Sequence, residues 1–377
     1  MKAIELFAGC GGLAKGLSLA GFDELAMIEF NHDACQSLRA NFNPAIVHEG
    51  DVRDFDYAPF AGKVDLVAGG PPCQPFSLGG KALGRNDARD MFPEAARAIA
   101  AVCPRAFLFE NVKGLLRASF REYFEYIVLR LTFPSEAIGE GESWLSHRMR
   151  LSKIDYSKYD GLKYKVHYRL VNAADYGVPQ VRERVIIVGI RGDIGREWRY
   201  PEPLLRKEEW MPCGVILDGL PAPSNPPPDG FPDHIFRPGA RPYHGHSGSD
   251  VTKPAKTIKA GAHGVPGGEN TFLFDDGTLR YMTVHEAKLI QTFPSDYWIL
   301  GTWGEAMRQI GNAVPVKLAE FLGRRLMETL RDVPRRTSFK KPLSTRKLSK
   351  KNQRRILASS FQDLIVVGGT SALEING

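Results

Sequence analysis

Residues 3–14 read AIELFAGCGGLA and decide the fold. The apolar run Ala3–Phe7 has the β propensity of a buried strand, and it meets the turn Gly9-x-Gly11-x-x-Ala14. Residues 13–20 then have helical spacing as far as Gly21. A strand, a glycine turn and a helix in this order open a βαβ unit, in which backbone N–H groups approach a ligand closely. By itself, the turn fits a dinucleotide enzyme, a methyltransferase or a tight turn without a ligand.

The same alternation continues along the chain and predicts an α/β fold with a mostly parallel sheet. In such a sheet, ligands lie beyond the carboxyl ends of the strands. A further helix is predicted over residues 33–40. Further strands are predicted at 25–30, 45–48, 64–68, 107–110, 168–172 and 185–190.

The composition and the residue patterning divide the chain into four parts. Residues 1–191 carry the alternation of strands and helices and are predicted to form a domain with the candidate catalytic and ligand-binding residues, in which 131–165 are polar and irregular. Residues 192–279 are rich in Pro and Gly and predict a smaller, loop-rich domain. Residues 280–330 return to helical patterns, with a capping box at Thr283 and Glu286 and a helix from Pro315 to about Leu330. Residues 331–377 are a tail.

Composition excludes several classes of protein. The net charge is +7, but residues 331–355 carry a net +10 and the body through residue 330 is close to −1. The high pI therefore reports the tail, and it does not by itself indicate that the body binds DNA. The five cysteines include no C-x-x-C pair, which argues against a disulfide framework or a zinc site. No apolar run is long enough for a membrane span, and the N-terminus does not have the pattern of a secretory signal.

The segment GGPPCQPFS, residues 69–77, carries the strongest chemical signal. Prolines on both sides of Cys73 stiffen a loop at the end of a strand, so the loop presents a thiol in a defined direction. A thiolate is a strong nucleophile. Most cysteines are inert and buried, and this applies to Cys10, Cys35 and Cys103. A proline loop is poor core material, so Cys73 is predicted to be reactive.

Charged residues follow the other predicted strands. Glu29 ends the second strand, where a carboxylate can grip ribose hydroxyls, and Asp51 ends the third. Glu110 ends the fifth and is either a general acid in an apolar pocket or an acid favoured by a helix dipole. In QVRER, the alternation of a strand places the side chains of Arg182 and Arg184 on the same side. There they could bind a phosphate, or they could belong to an edge strand exposed to solvent.

Taken in order, these blocks resemble the C5-cytosine-specific DNA methyltransferases of bacterial restriction-modification systems. The resemblance covers residues 3–191 and 280–330, with a variable region between them. The blocks that carry it are FAGCGG, Glu29, Gly50-Asp51, PPCQPFS, ENV, QVRER, T-x-x-E-A-x-x-x-Q-T-F-P and QIGNAVPV.

The resemblance implies a Rossmann-like fold that uses S-adenosyl-L-methionine. Cys73 would add to C6 of a cytosine flipped out of the duplex, and Glu110 would protonate N3, so that C5 becomes nucleophilic. Arg182 and Arg184 would contact the flipped base and its phosphate. His285 stands where the family usually has Arg, which bears on the packing of the recognition domain. The predicted cofactor-binding residues are Phe7, Gly9, Gly11, Gly12, Glu29, Asp51, Met91 and Asn312.

Sequence recognition is assigned to residues 192–279. There Lys253, Lys256 and Lys259 could touch phosphates and His263 could approach bases, although ordinary loop surface is an equal reading for each. The expected partner is double-stranded DNA, with a cognate restriction endonuclease acting on the same site without a stable complex. The protein is expected to be a cytoplasmic, nucleoid-associated monomer without a metal. Alternatives are a tRNA cytosine-5 methyltransferase of the same fold, a nicotinamide-dependent oxidoreductase and a catalytically silent DNA-binding module.

Overall fold

The computed structural model describes residues 1–72, 90–242, 247–260 and 270–333. A seven-stranded sheet forms its centre, and a three-stranded sheet lies in the loop-rich region. The strands are β1 (Lys2–Leu6), β2 (Asp23–Glu29), β3 (Val47–Glu49), β4 (Leu66–Gly69), β5 (Ala106–Val112), β6 (Tyr164–Asn172), β7 (Glu183–Arg191), β8 (Ser249–Asp250), β9 (Thr271–Leu273) and β10 (Leu279–Tyr281). The helices are α1 (Gly12–Leu19), α2 (His32–Asn41), α3 (Phe92–Val102), α4 (Arg121–Thr132), α5 (Trp144–Leu151), α6 (Val284–Ile290), α7 (Trp303–Asn312) and α8 (Val316–Thr329).

The large sheet has the order β3-β2-β1-β4-β5-β7-β6. Strands β1 to β5 are parallel, whereas β7 pairs antiparallel with both β5 and β6. Of these seven strands, β7 alone runs against the others. The α/β fold with a mostly parallel sheet is therefore confirmed, and the carboxyl ends of β1, β2, β4 and β5 share one edge.

Alternate side chains of the central strands point to opposite faces, and each face is covered by helices. On one face, Val67, Phe107 and Ile187 pack with α3 and α4. On the other, Leu66, Leu108 and Ile186 pack with α1 and α8. Strands buried on both faces explain why the sequence shows continuous apolar runs there.

The predicted elements are found with small shifts, and two regions differ. Residues 45–48 were expected to be all strand, but Pro44–Ile46 form a 3₁₀ turn and the strand is Val47–Glu49. Residues 131–165 were expected to be irregular, yet they contain α5, which begins with Ser143 accepting a hydrogen bond from the backbone N–H of Ser146. This helix is polar and buries only His147 and Leu151, so its apolar periodicity is weak.

Residues near both predicted boundaries, 192 and 279, pack against the rest of the chain. Trp198 and Tyr200 belong to the core on the α1–α8 face. Ala255, Ile258 and Phe272 pack with α6 and α7, and β10 crosses the predicted boundary. The loop-rich region is thus in contact with the body of the protein at several points, and its boundaries stay a prediction.

The body ends on the side of the sheet opposite to the shared carboxyl edge. Arg105, next to the start of β5, forms an ion pair with Asp65 at 2.9 Å. Its Nη1 also donates to the carbonyl oxygens of Leu330 and Val333. Residue 333 is therefore fixed near the amino ends of the strands, and the basic tail from 334 onward lies outside the described residues.

Candidate active site

A cleft of about 860 Å³ opens at the carboxyl edge of the large sheet. Strands β1, β2, β4 and β5, the turn after β3 and the end of α7 surround it. This arrangement brings together residues as distant in the sequence as Glu5 and Val314, and the parallel strand order accounts for the shared edge. The predicted site residues that line it are Phe7, Gly9, Gly12, Glu29, Asp51, Met91, Glu110, Arg182, Arg184 and Asn312.

Glu29 spans the first turn with both oxygens of its carboxylate. Oε2 accepts a hydrogen bond from the backbone N–H of Gly9, and Oε1 accepts one from that of Asn31, each at 2.7 Å. The side chain of the next residue, Phe30, reaches into solvent at the cleft and is 77% exposed. A fixed carboxylate beside an exposed aromatic ring is a suitable surface for a ribose and a flat base.

The backbone of the first turn is strained where it meets the cleft. Phe7 has a φ of 56°, a left-handed conformation that a bulky residue rarely adopts. Gly9 has a φ of 55°, and a Cβ placed on it would meet no atom within 4 Å, so this backbone faces open space. Gly11 differs from Gly9 and Gly12 in that it is absent from the cleft lining, and a Cβ on it would lie 2.6 Å from the Tyr297 hydroxyl oxygen. Gly11 serves packing and does not line the cleft.

Asp51 is held by the arginine two residues after it. Arg53 Nε lies 2.9 Å from each carboxylate oxygen, and its Nη2 also donates to Oδ2. Hydrogen bonds from Arg53 lower the pKa of Asp51. Arg97 of α3 donates to the carbonyl oxygens of Val52 and Arg53, which fixes the turn. Asp51 therefore presents an ionised acceptor at the wall of the cleft.

Glu110 and Arg184 form the charged pair at the other end of the cleft. Arg184 Nε lies 2.7 Å from Glu110 Oε1, and both side chains are 11% exposed. The chain between β4 and the proline segment passes beside this pair, since a Cβ on Gly70 would lie 3.6 Å from Glu110 Oε2. Asn111 Nδ2 donates to the carbonyl oxygen of Pro71 at 2.9 Å. The strand that carries Glu110 thus also fixes the start of that segment.

Cys73 itself lies outside the described residues. The segment that contains it leaves and rejoins the body at one place, because the backbone N–H of Met91 donates to the carbonyl oxygen of Pro72. The other cysteines have the inert character expected from the sequence. Burial raises the pKa of the Cys35 and Cys213 thiols to about 12 and that of Cys10 further.

Arg182 borders the cleft but is held mostly by other parts of the chain. Its side chain is 1% exposed, and its guanidinium donates to the backbone carbonyl oxygens of Ile258, Gly311 and Ala313 at 3.2, 2.8 and 2.8 Å. Its Nε has no partner among the described residues, and the expected contact with the flipped nucleotide stays a prediction. Alternation in the sequence places Arg182 on the correct side of the strand but does not show what covers it.

The basic residues proposed to touch DNA lie on the surface. Lys253, Lys256 and Lys259 are all exposed. Lys253 pairs with Asp250 at 2.9 Å, and Lys256 Nζ donates to Ser247 Oγ at 2.9 Å. His263 lies outside the described residues. Ordinary loop surface and a phosphate contact remain equally compatible with these positions.

Helix α6 fastens the loop-rich region through Asp233. His285 Nδ1 lies 2.8 Å from Asp233 Oδ1, and Lys288 Nζ donates to Asp233 Oδ2 at 2.6 Å. Burial raises the pKa of Asp233, but hydrogen bonds from His285 and Lys288 outweigh it and leave the pKa below its ordinary value. The departure from the family pattern at His285 therefore lies in a contact with the loop-rich region.

Phe30, Asn111 and Arg53 are contributors to the cleft that the sequence did not single out. Phe30 could have been found as the aromatic residue that follows a strand-ending carboxylate. Asn111 stands beside Glu110 in the ENV block, which marks its position. Nothing in the sequence marked Arg53 as part of the cleft, because an arginine in a polar turn usually lies on the solvent-exposed surface.

Within the described ranges, no group of three or more His, Cys, Asp or Glu side chains could hold a metal ion. The same ranges contain no helix that is both long and apolar enough to cross a membrane.

Comparison with known proteins gives the family. The family model of the C-5 cytosine-specific DNA methylases matches residues 1–133, 145–225 and 233–328. The chain belongs to this family.

Relatives and solved structures agree with that assignment. The Type II methyltransferase M.NgoMIV of Neisseria gonorrhoeae is 34% identical over 352 residues, covering 87% of this chain and 98% of that protein. M.PspPI of a Psychrobacter species is also 34% identical, covering 88% and 80%. A structure described as a putative DNA modification methyltransferase encoded within an Escherichia coli prophage superposes with a TM-score of 0.59 at 20% identity, covering 88% of this chain and all of that one. At this identity the superposition bears on the fold alone.

The methylase uses S-adenosyl-L-methionine, and its cleft fits that molecule. Glu5 of β1 lines the cleft, is buried, and has an Oε2 atom for which the described residues offer no hydrogen-bond partner. Burial raises the pKa of Glu5 well above its ordinary value, as do the nearby Glu24 and Glu29. A buried carboxyl oxygen without a partner suits a ligand that brings a hydrogen-bond donor into the cleft. The exposed Phe30 ring and the ionised Asp51 suit an adenosyl group at the same wall.

Proposed function

We propose that this DNA (cytosine-5)-methyltransferase modifies one cytosine within a specific duplex sequence and serves as the modification enzyme of a restriction-modification system. The observation that carries the proposal is the shared cleft. The Glu110–Arg184 pair stands 2.7 Å apart beside the start of the Cys73 segment. The turn bounded by Gly9 and Glu29 opens into the same space, so a cytosine and a methyl donor can meet there.

In the donor half, we assign binding to the residues at the strand ends. Glu29 takes the ribose hydroxyls, Asp51 accepts from the adenine amino group, and Phe30 packs against the adenine ring. S-adenosyl-L-methionine, when bound, supplies an electrophilic methyl group. The remaining predicted residues in this half are Phe7, Gly9, Gly12, Met91 and Asn312.

In the cytosine half, the Cys73 thiolate forms a bond to C6 of the flipped base. Glu110 gives a proton to N3, which stabilises the adduct and leaves C5 nucleophilic. Arg184, paired with Glu110, holds that carboxyl group in position. After transfer, water takes the C5 proton, the C6–S bond breaks to release the Cys73 thiolate, and the N3 proton returns to Glu110, which restores the ring. Flipping the base costs a few kcal/mol, which contacts with the rest of the duplex must supply.

Duplex DNA is favoured over tRNA by the relatives. The two relatives described above are Type II methyltransferases, and each is matched over four fifths or more of its length. We assign sequence reading to residues 192–279, because base contacts specify and phosphate contacts position. The enzyme acts as a monomer on the bacterial nucleoid in the cytoplasm, and a cognate endonuclease recognises the same site without a stable complex.

The test is to map methylated cytosines in DNA from cells that express the protein. Bisulfite sequencing reads the modified atom and its sequence context together, and one recurrent context is the expected result. Purified enzyme is then given duplex DNA and tRNA in parallel with labelled methyl donor. Methylation of tRNA alone, or of cytosines without a common context, contradicts the proposal.

A further inference from the structure

The buried guanidinium of Arg182 joins two parts of the enzyme that bind different ligands. Its Nη1 donates to the carbonyl oxygen of Ile258, in the region assigned to DNA recognition. Its Nη2 donates to the carbonyl oxygens of Gly311 and Ala313, which flank Asn312 at the cleft. One side chain therefore bonds the recognition region and the turn 311–313, which we call the cofactor turn.

Two buried glutamines support the same junction. Gln180 Oε1 accepts from the backbone N–H of Ile258 at 3.0 Å, and its Nε2 donates to Gln291 Oε1 at 3.2 Å. Gln291 Nε2 in turn donates to the carbonyl oxygens of Ile310 and Ala313 at 2.7 and 3.2 Å. Both glutamines are fully buried. Through the bond between them, the two amides together link the same two segments that Arg182 links.

The two segments are also in direct contact. A Cβ on Gly311 would lie 2.5 Å from the backbone nitrogen of Ala260 and 2.6 Å from the carbonyl carbon of Lys259. Backbone atoms cannot give way as a flexible side chain can, so only glycine allows this approach. The segment 258–260 of the recognition region therefore lies directly on the cofactor turn.

The energetics oppose independent movement of the two segments. Burial lowers the pKa of Arg182 well below its ordinary value, and so does the neighbouring Arg184. A buried cation is costly unless its donors are paired. Both Nη atoms of Arg182 are paired with carbonyl oxygens, whereas its Nε has no partner among the described residues. If either segment moved away, the buried guanidinium would lose further hydrogen bonds, so the alternative arrangement is costly.

We infer that Arg182 is a positioning residue that couples the cofactor turn to the recognition region, so that donor binding and binding of the specific duplex strengthen each other. This inference rests on the proposed function, since it takes residues 192–279 as the DNA reader. A direct contact between Arg182 and a phosphate is the competing role, and it predicts a different dependence on salt.

The experiment compares the wild type with Arg182→Lys, which keeps the charge but cannot fork to three carbonyl oxygens. The affinity for S-adenosylhomocysteine is measured by calorimetry with and without a duplex that carries the mapped methylation site. In the wild type, we expect the affinity for S-adenosylhomocysteine to be about 5-fold or more higher with that duplex than without it. The variant should lose most of this ratio of affinities. For a random duplex, the slope of log affinity against log salt concentration should be the same in Arg182→Lys as in the wild type. If Arg182 instead contacted a phosphate, its loss would lower that slope by about 1.

Two further variants separate coupling from stability. Arg191→Lys changes a buried arginine at the opposite end of β7 that also donates to a carbonyl oxygen, that of Cys103, and it should keep the ratio. Gly311→Ala pushes the segments apart without altering Arg182 and should lose the ratio. The inference is overturned if folded Arg182→Lys or Gly311→Ala has a ratio of affinities, with and without the duplex, within about twofold of the wild-type ratio. It is also overturned if the wild type itself binds S-adenosylhomocysteine equally well with and without the duplex.

A measurement on the unchanged chain decides the matter if those variants do not fold. S-adenosylhomocysteine should slow amide hydrogen exchange at 258–260 as well as at 311–313, because the two segments share hydrogen bonds. Protection confined to the cofactor turn overturns the coupling. If the wild type methylates no DNA at all, the proposed function fails, and that outcome is distinct from active enzyme without coupling.

Discussion

Replacing Glu110 with Gln tests the assignment of the proton donor. Gln keeps the shape and one carbonyl oxygen for Arg184 Nε, which lies 2.7 Å from Glu110 Oε1, but it cannot give a proton to N3. General acid catalysis contributes roughly 10²- to 10⁴-fold, which is about 2.7 to 5.4 kcal/mol of activation free energy. We expect turnover to fall by that order.

The cost in stability is much smaller. A hydrogen bond to a charged group contributes about 1.5 to 3 kcal/mol, and a neutral one about 0.5 to 1.5. Replacing the carboxylate with an amide should therefore cost about 1 to 1.5 kcal/mol, or about 1 to 3 °C in melting temperature. A loss of this size leaves the enzyme folded at 25 °C, so it cannot account for a hundredfold slower reaction.

The assay is single-turnover transfer of labelled methyl to the mapped duplex, with calorimetry of S-adenosylhomocysteine binding and a melting curve. Glu136→Gln is the matched control, because Glu136 is equally paired with an arginine, Arg150 at 3.3 Å, but lies away from the cleft. It should lose similar stability and retain turnover. A fall of less than about fivefold for Glu110→Gln, or equal slowing in the control, would refute the reasoning.

Three other predictions concern the nucleophile, the reader and the tail. Cys73→Ser should abolish transfer while S-adenosylhomocysteine still binds, and wild type should form a covalent adduct with 5-fluorocytosine duplexes; an active Ser variant contradicts this. At pH 8, iodoacetamide should label Cys73 well before Cys35 or Cys213, whose thiols have a pKa of about 12, and equal labelling counts against its reactivity. Exchanging residues 192–279 with those of a related methyltransferase should transfer the DNA sequence preference. An active chimera that keeps its old preference contradicts this prediction. Deleting 334–377 should leave fold and preference unchanged but reduce the salt slope of binding to random duplexes; an unchanged slope means the tail makes no DNA contact.

The sequence determined the local elements and the chemistry at their ends. Alternation of apolar runs with glycine turns gave β1, β2, β4, β5 and β7 to within a few residues. Parallel strands share one carboxyl edge, so Glu29, Asp51 and Glu110 could be expected in one cleft before any contact was known. The capping box at Thr283 and Glu286 was likewise readable, because both of its hydrogen bonds are local.

Only the tertiary structure decided which side chains face ligands and which face other parts of the chain. Arg182 and Arg184 are alike in sequence, yet Arg184 pairs with Glu110 in the cleft, whereas Arg182 is covered by segments 76 and 131 residues away. Gly11 sits in the glycine turn but packs under Tyr297. Periodicity records the face of an element on which a residue lies. The chain that packs on that face comes from distant sequence, so its identity is fixed only when the whole fold closes.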